Sequence, residues 1–364
     1  MRRSTRSIGP PMVELGIIEG FFGRPWSWAE RAAQVRFLRP HGYRFYLYAP
    51  KGDAYLRRRW QEPHPEAEME RLAAFRAICR AEGVRFGIGL SPFELHLHPP
   101  KGWHAMLAAK IAALAALQPD DLAILFDDMR GDVPDLAERQ AAIVHFAAER
   151  AGAGRILCCP SYYSDDPILD SAFGERPPFY LEQLGRLLDP AVHLMWTGEE
   201  VCAREYGPGH LARVAEQMRR KPFLWDNYPV NDGARMSQHL HLRGFTGRPA
   251  AIAGLIAGHG INPASQPLLS RIPALTLAES YARGEGYEYG AAFRRAAVEV
   301  LGEELADRVG RDLISLQDRG LDRLAERRAV LRARYAAFAH PAATEITAWL
   351  DGYWSLGDEA VQTQ

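Results

Sequence analysis

Cysteine is scarce in this chain: four residues in 364, at Cys79, Cys158, Cys159 and Cys202, with no pair at zinc-finger or thioredoxin spacing. That count excludes a disulfide scaffold and points to a reducing compartment. No apolar run reaches the roughly 18 residues of a transmembrane helix. The start, MRRSTRSIGPPMVELG, is basic but lacks the apolar stretch of a signal peptide. The expectation is a soluble, cytoplasmic protein with no membrane partner and a flexible leader over residues 1–11. Neither charge is in excess, with 44 basic against 45 acidic residues and no long run of one sign. Nucleic acid and anionic membrane surfaces are therefore not expected partners, and a small or neutral substrate is. Low-complexity segments and short repeats are absent as well.

What the chain does have is a recurring unit. Short runs rich in β-branched and aromatic residues occur eight times: VELGIIE (13–19), YRFYLYA (43–49), RFGIGLS (85–91), LAILFDD (122–128), RILCCPS (155–161), HLMWTG (193–198), FLWDNYP (223–229) and AIAGLIAG (251–258). Segments of helical spacing lie between them, such as PEAEMERLAAFRAICRAEG (65–83), MLAAKIAALAAL (106–117), DLAERQAAIVHFAAER (135–150) and HLARVAEQMRR (210–220). Continuous apolar strands suit a parallel sheet covered on both faces, and eight units suit an α/β fold of the (β/α)8 TIM-barrel type over residues 12–284. The alternative, a doubly wound open sheet, would more often carry a glycine-rich phosphate turn after its first strand, and GFFGRPW is not one. Residues 285–364 turn to long Ala/Arg/Glu/Leu stretches and read as a C-terminal all-helical module. Its charged positions suit a solvated face, and an apolar stripe on it is a candidate homodimer contact.

In a barrel, the C-terminal strand ends converge on one mouth. Here they carry Glu19 and Gly20, then Lys51, Ser91, Asp127 with Asp128, Tyr163, Thr197, Asn227 with Asp232, and Asn262. Any one of these is an ordinary loop or capping residue; their recurrence at successive strand ends is less ordinary. LAILFDDMRGD (122–132) is the sharpest case, because two adjacent carboxylates at the end of a buried strand are costly to ionise together. The segment could be a capped loop before a helix. It also fits DDxxxD, a magnesium-diphosphate pattern that would need an α-helical host and further acids. A third reading is glycoside hydrolysis. Conventional enzymes of that kind hold two carboxylates about 5 to 9 Å apart across the scissile bond, which neighbours on one strand end cannot easily do. A 2-acetamido sugar brings its own nucleophile, however, so one carboxylate can hold the acetamide N–H while the other protonates the leaving oxygen.

IIEGFFGRPW, YLYAPKGD, ILFDDM, CCPSYY, MWTG, WDNYPVND and INPAS occur in the order and approximate spacing of the family 84 glycoside hydrolases. These are the β-N-acetylglucosaminidases that include the protein O-GlcNAc hydrolases, and the chain resembles them over roughly residues 13–283. The resemblance implies a retaining exo-enzyme acting through an oxazoline on terminal β-linked GlcNAc glycoconjugates, with no metal and no cofactor. It implies that Asp127 polarises the acetamide N–H and that Asp128 is the general acid, then base. Tyr163 would align the acetamide carbonyl, and Cys159, Thr197, Val201 and Trp225 would surround its methyl group. Gly20 (through its carbonyl), Lys51, Asp232 and Asn262 would bind sugar hydroxyls, with Asn227 supporting the acetamide or the acid. Two departures stand out: Phe22 where relatives often have Tyr, and Ala282 near where they often have a Trp covering the sugar. A ring from the C-terminal module or a partner subunit would have to replace the latter. The histidine pairs His96/His98 and His239/His241 lack a convergent acid, so no metal site is expected there. The rival from another class is a non-catalytic GlcNAc-binding or scaffolding barrel.

Overall fold

Eight parallel strands close into a barrel in strict chain order, in a computed structural model that describes residues 13–357. The expected leader lies outside the described residues. The strands are β1 (Leu15–Glu19), β2 (Tyr43–Tyr48), β3 (Arg85–Leu90), β4 (Asp121–Leu125), β5 (Arg155–Cys159), β6 (His193–Trp196), β7 (Phe223–Asp226) and β8 (Gly258–Ile261). Closure comes from β1 against β8, with Gly16 opposite Gly260 and Ile17 opposite Ile261. Nearly every strand residue is buried, because barrel interior and covering helices take alternate side chains.

The eighth strand lies elsewhere than its apolar pattern predicts. Residues Ala250–Leu255 form a 3-10 segment, and the strand is the glycine-rich GHGI that follows. Interior packing explains the composition: a Cβ at Gly260 would stand 2.4 Å from Ile18 Cδ1. Ile252 and Ala253 are buried, Ile252 against Tyr206, Leu211 and Leu224, so the apolar run covers the barrel from outside. No α-helix separates β7 from β8 among the described residues, and that connection is instead a long loop with two 3-10 turns.

The remaining crossovers are helical. Helix Trp28–Leu38 begins with a capping box: Ser27 Oγ accepts from the Glu30 N–H (3.2 Å) and Glu30 Oε2 accepts from the Ser27 N–H (2.6 Å). Its first turn delivers Arg31 to Glu19 with Nε to Oε2 at 2.8 Å and Nη2 to Oε1 at 2.7 Å, and the Tyr46 hydroxyl also donates to Glu19. Four α-helices follow the barrel: Tyr289–Leu301, Glu303–Leu313, Arg327–Ala336 and Pro341–Leu350. Their apolar faces share a second core with Leu240, Leu242, Leu269, Ile272 and Leu275 of the barrel's last loops and last helix.

The final helix reaches back to two of those loops. Glu345 accepts from the Leu268 and Leu269 N–H groups (2.9 and 3.0 Å). Trp349 Nε1 donates to the Ser237 carbonyl (3.1 Å), and the Leu356 N–H donates to Ser237 Oγ (3.2 Å). Both loops carry residues of the site described next.

Candidate active site

The barrel mouth holds a small, open cavity. All twelve residues expected from the sequence line it: Gly20, Lys51, Asp127, Asp128, Cys159, Tyr163, Thr197, Val201, Trp225, Asn227, Asp232 and Asn262. Phe22, Cys202 and Val230 complete the wall. Cys202 and Val230 sit beside expected residues in their motifs, but no chemical signal in the sequence marked them.

Strand alternation aims the side chains at the end of β7. Trp225 and Asn227 face the cavity, while the intervening Asp226 turns away to a buried cluster with Arg248 (2.8 Å) and His259 (3.0 Å). Past the strand ends, the Phe126 N–H still donates to the Cys159 carbonyl (2.9 Å), and the Lys51 N–H to the Phe21 carbonyl (3.2 Å). The sheet ladder thus extends into the mouth and fixes the loops that carry Lys51 and Asp127.

Alternation alone would send Asp128 away from Asp127. Asp128 instead adopts a left-handed backbone (φ 56°), and both carboxylates line the cavity. Lys51 joins them: its ammonium is paired directly with Asp127 Oδ2 and lies 3.6 Å from Asp128 Oδ2. The Tyr163 hydroxyl donates to Asp128 Oδ1 (3.0 Å). Burial, then the charges of Asp128 and Asp127, hold the Tyr163 phenol well above its ordinary pKa, so it remains a proton donor. Asp127 Oδ1 is buried without a hydrogen-bond partner, an acceptor kept for something else.

Opposite the acids, an amide relay fixes the wall. Trp225 Nε1 donates to Asn227 Oδ1 (3.1 Å), which also accepts from Asn262 Nδ2 (3.0 Å), and Asn227 Nδ2 donates to the Val201 carbonyl (2.9 Å). Asn262 Oδ1 accepts from the Gly20 N–H (3.3 Å). Asp232 Oδ2 accepts from the Phe22 N–H (2.8 Å), tying the loops after β1 and β7. The Cys159 thiol contacts the Pro160 carbonyl at 3.8 Å, and burial pushes its pKa well up, which makes it a neutral wall atom rather than a nucleophile.

Other polar strand-end residues and the rival metal patterns lie elsewhere. Glu19 is bound to Arg31 and Tyr46, and Ser91 does not line the cavity. Asp132 pairs with Arg130 outside it, so the DDxxxD pattern does not converge. His96 bonds the Arg130 carbonyl, His239 that of Gln317 and His241 that of Pro229. Among the described residues, no group of three or more His, Cys, Asp or Glu is placed to hold a metal ion. Ala282 sits exposed at the end of helix Arg271–Arg283, away from the cavity, so it is not the place of a sugar-covering ring. The cavity's rings are Phe22, Tyr163 and Trp225, all from the barrel, whereas C-terminal Tyr353 and Trp354 line an adjoining groove with Trp26 and Trp28.

Comparison with known proteins agrees with this geometry. A family model described as beta-N-acetylglucosaminidase matches residues 15–312. Protein O-GlcNAcase of Rattus norvegicus is 28% identical over 276 residues, and that of Mus musculus 27% over the same length. Each match covers 73% of this chain but 30% of the relative, so the chain spans less than a third of their length. A solved structure of a Thermobaculum terrenum O-GlcNAc hydrolase mutant superposes with a TM-score of 0.77 at 27% identity, covering 93% of this chain and 80% of that one. With the family model matched over most of its length, the chain belongs to the β-N-acetylglucosaminidases of glycoside hydrolase family 84.

Proposed function

We propose that the protein is a retaining exo-β-N-acetylglucosaminidase that removes terminal β-linked GlcNAc, such as GlcNAc O-linked to serine or threonine, through an oxazoline intermediate. The observation that carries this reading is Asp127 Oδ1, a buried, unpartnered acceptor beside Asp128 in the same cavity. An acetamide N–H would satisfy it. In the first step the acetamide carbonyl oxygen attacks the anomeric carbon while Asp128 gives its proton to the departing glycosidic oxygen, and Asp127 offsets the charge growing on the acetamide nitrogen. In the second step Asp128, now a carboxylate, takes a proton from the water that opens the oxazoline. Two inversions give net retention.

The rest of the cavity suits the same substrate. Tyr163 offers a hydroxyl to the acetamide carbonyl, and Cys159, Thr197, Val201 and Trp225 form a wall for its methyl group. Asp232 and Asn262, with the Gly20 carbonyl and Lys51, stand ready for ring hydroxyls. The test is the release of nitrophenol from the aryl β-glycosides of N-acetylglucosamine and of glucose, side by side in excess chelator. Hydrolysis of the first alone is expected. Equal hydrolysis of both would sink the acetamide's role, and release from neither would leave a GlcNAc-binding barrel. Asp128→Asn should lose far more on poor leaving groups than on activated ones, whereas Asp127→Asn should lose on both.

A further inference from the structure

We infer that Arg57 is the positioning residue of the acid pair, acting on the backbone that lets two neighbouring aspartates face one substrate. The inference rests on the proposed function above. Its starting point is the left-handed turn at Asp128, without which strand alternation would put only one of the two carboxylates in the cavity. A left-handed backbone is uncommon in non-glycine residues, although aspartate tolerates it better than most, so contacts to the turn help decide whether it is kept.

Arg57 supplies such contacts here. Its Nη1 donates to the Asp127 carbonyl (3.3 Å) and its Nη2 to the Asp128 carbonyl (3.1 Å), so one guanidinium fork grips the peptide units on both sides of the turn. The side chain is buried, with Phe93 at 5.2 Å and Phe22 at 5.9 Å from its guanidinium carbon. It thereby touches the loops after β1, β3 and β4 while standing on the loop after β2. Its own backbone is held from both sides: the Arg57 N–H donates to the Ala54 carbonyl (3.2 Å) and the Arg57 carbonyl accepts from the Trp60 N–H (3.2 Å), while the neighbouring Leu56 carbonyl accepts from the Ser91 N–H (2.8 Å). No carboxylate lies within 4.0 Å of the guanidinium among the described residues.

The brace therefore sets where Asp128 stands relative to the leaving oxygen. Lysine preserves the charge but not the fork, so Arg57→Lys should lower kcat about 100-fold on a poorly activated aryl GlcNAc, as a misplacement near 1 Å does. The loss should be several-fold smaller on a strongly activated one, and KM should hold within about threefold. Added guanidinium ion should restore part of the lost rate in Arg57→Ala, measured against its own unrescued rate at matched ionic strength. Wild-type kcat in Arg57→Lys on both substrates would overturn the inference. So would an equal loss on both that tracks a fall in Tm and is not rescued. Failure of the wild-type enzyme on either aryl GlcNAc would instead refute the function reading, which keeps the two failures apart.

Discussion

Gly20→Ala isolates a single contact whose consequences can be followed to the rate. An ideal Cβ at residue 20 would lie 2.2 Å from Trp225 Cζ2 and 2.7 Å from Cη2, well inside contact distance. The indole would have to withdraw by about 1 Å to regain van der Waals contact. It is not free to do so: Nε1 is committed to Asn227 Oδ1, and Asn227 also holds Asn262 and the Val201 carbonyl. Overpacking of this kind costs about 1–3 kcal/mol of stability. The rate should suffer more, because Trp225, Val201 and Asn262 all line the cavity, and a displacement near 1 Å costs about 100-fold. The assay is kcat/KM on an aryl GlcNAc for the wild type, Gly20→Ala, Trp225→Phe and the double variant. Phenylalanine lacks the outer indole atoms that clash, so Gly20→Ala should cost less in the Trp225→Phe background than in the wild type. A Gly20→Ala enzyme within about threefold of wild type, or the same penalty in both backgrounds, would refute the reasoning.

Tyr163→Phe removes the hydroxyl offered to the acetamide carbonyl; a hydrogen bond between neutral groups is worth about 0.5–1.5 kcal/mol, so kcat should fall roughly 2- to 10-fold, and an unchanged kcat would refute the role. Arg31→Met strands Glu19 in the core and should cost about 3–5 kcal/mol in urea denaturation, largely recovered by adding Glu19→Gln; a cost under about 1 kcal/mol would contradict the buried pairing. Burial pushes Glu345 up to about 7 from an ordinary 4.5, against the pull of the Leu268 and Leu269 N–H groups. The folded state thus holds this proton more tightly than the unfolded chain, so the contribution is full below 4.5 and is lost as pH rises through about 7. The wild type should therefore lose about 3 kcal/mol relative to Glu345→Gln across that window, and a difference independent of pH would exclude it.

The barrel was legible because its strands are buried on both faces, and seven of eight read directly as apolar runs. The eighth escaped for a physical reason: β8 needs glycine where Ile18 and Phe223 already fill the interior, so hydrophobicity drew attention to 250–255 instead. The polar strand ends were legible too, since the cavity is built mainly from residues just past the strands. Glu19 misled because a carboxylate at a strand end serves equally well as a core anchor for an arginine in the first turn of the next helix. Arg57 left no trace, as its partners are backbone carbonyls and any residue type could have supplied them. Nor could spacing foretell Ala282, whose distance from the cavity depends on where helix Arg271–Arg283 ends.

The grip of helix Pro341–Leu350 on the loops after β7 and β8 bears on how the protein matures during synthesis. Every one of the fifteen cavity residues lies at or before Asn262, so all are synthesised ahead of the four helices that follow the barrel. The loops that present Asp232 and Asn262 would still wait for Glu345, Trp349 and Leu356 to arrive at Leu268, Leu269 and Ser237. On the proposed function, sugar recognition then depends on helix Pro341–Leu350 and the segment after it as well as on a closed barrel.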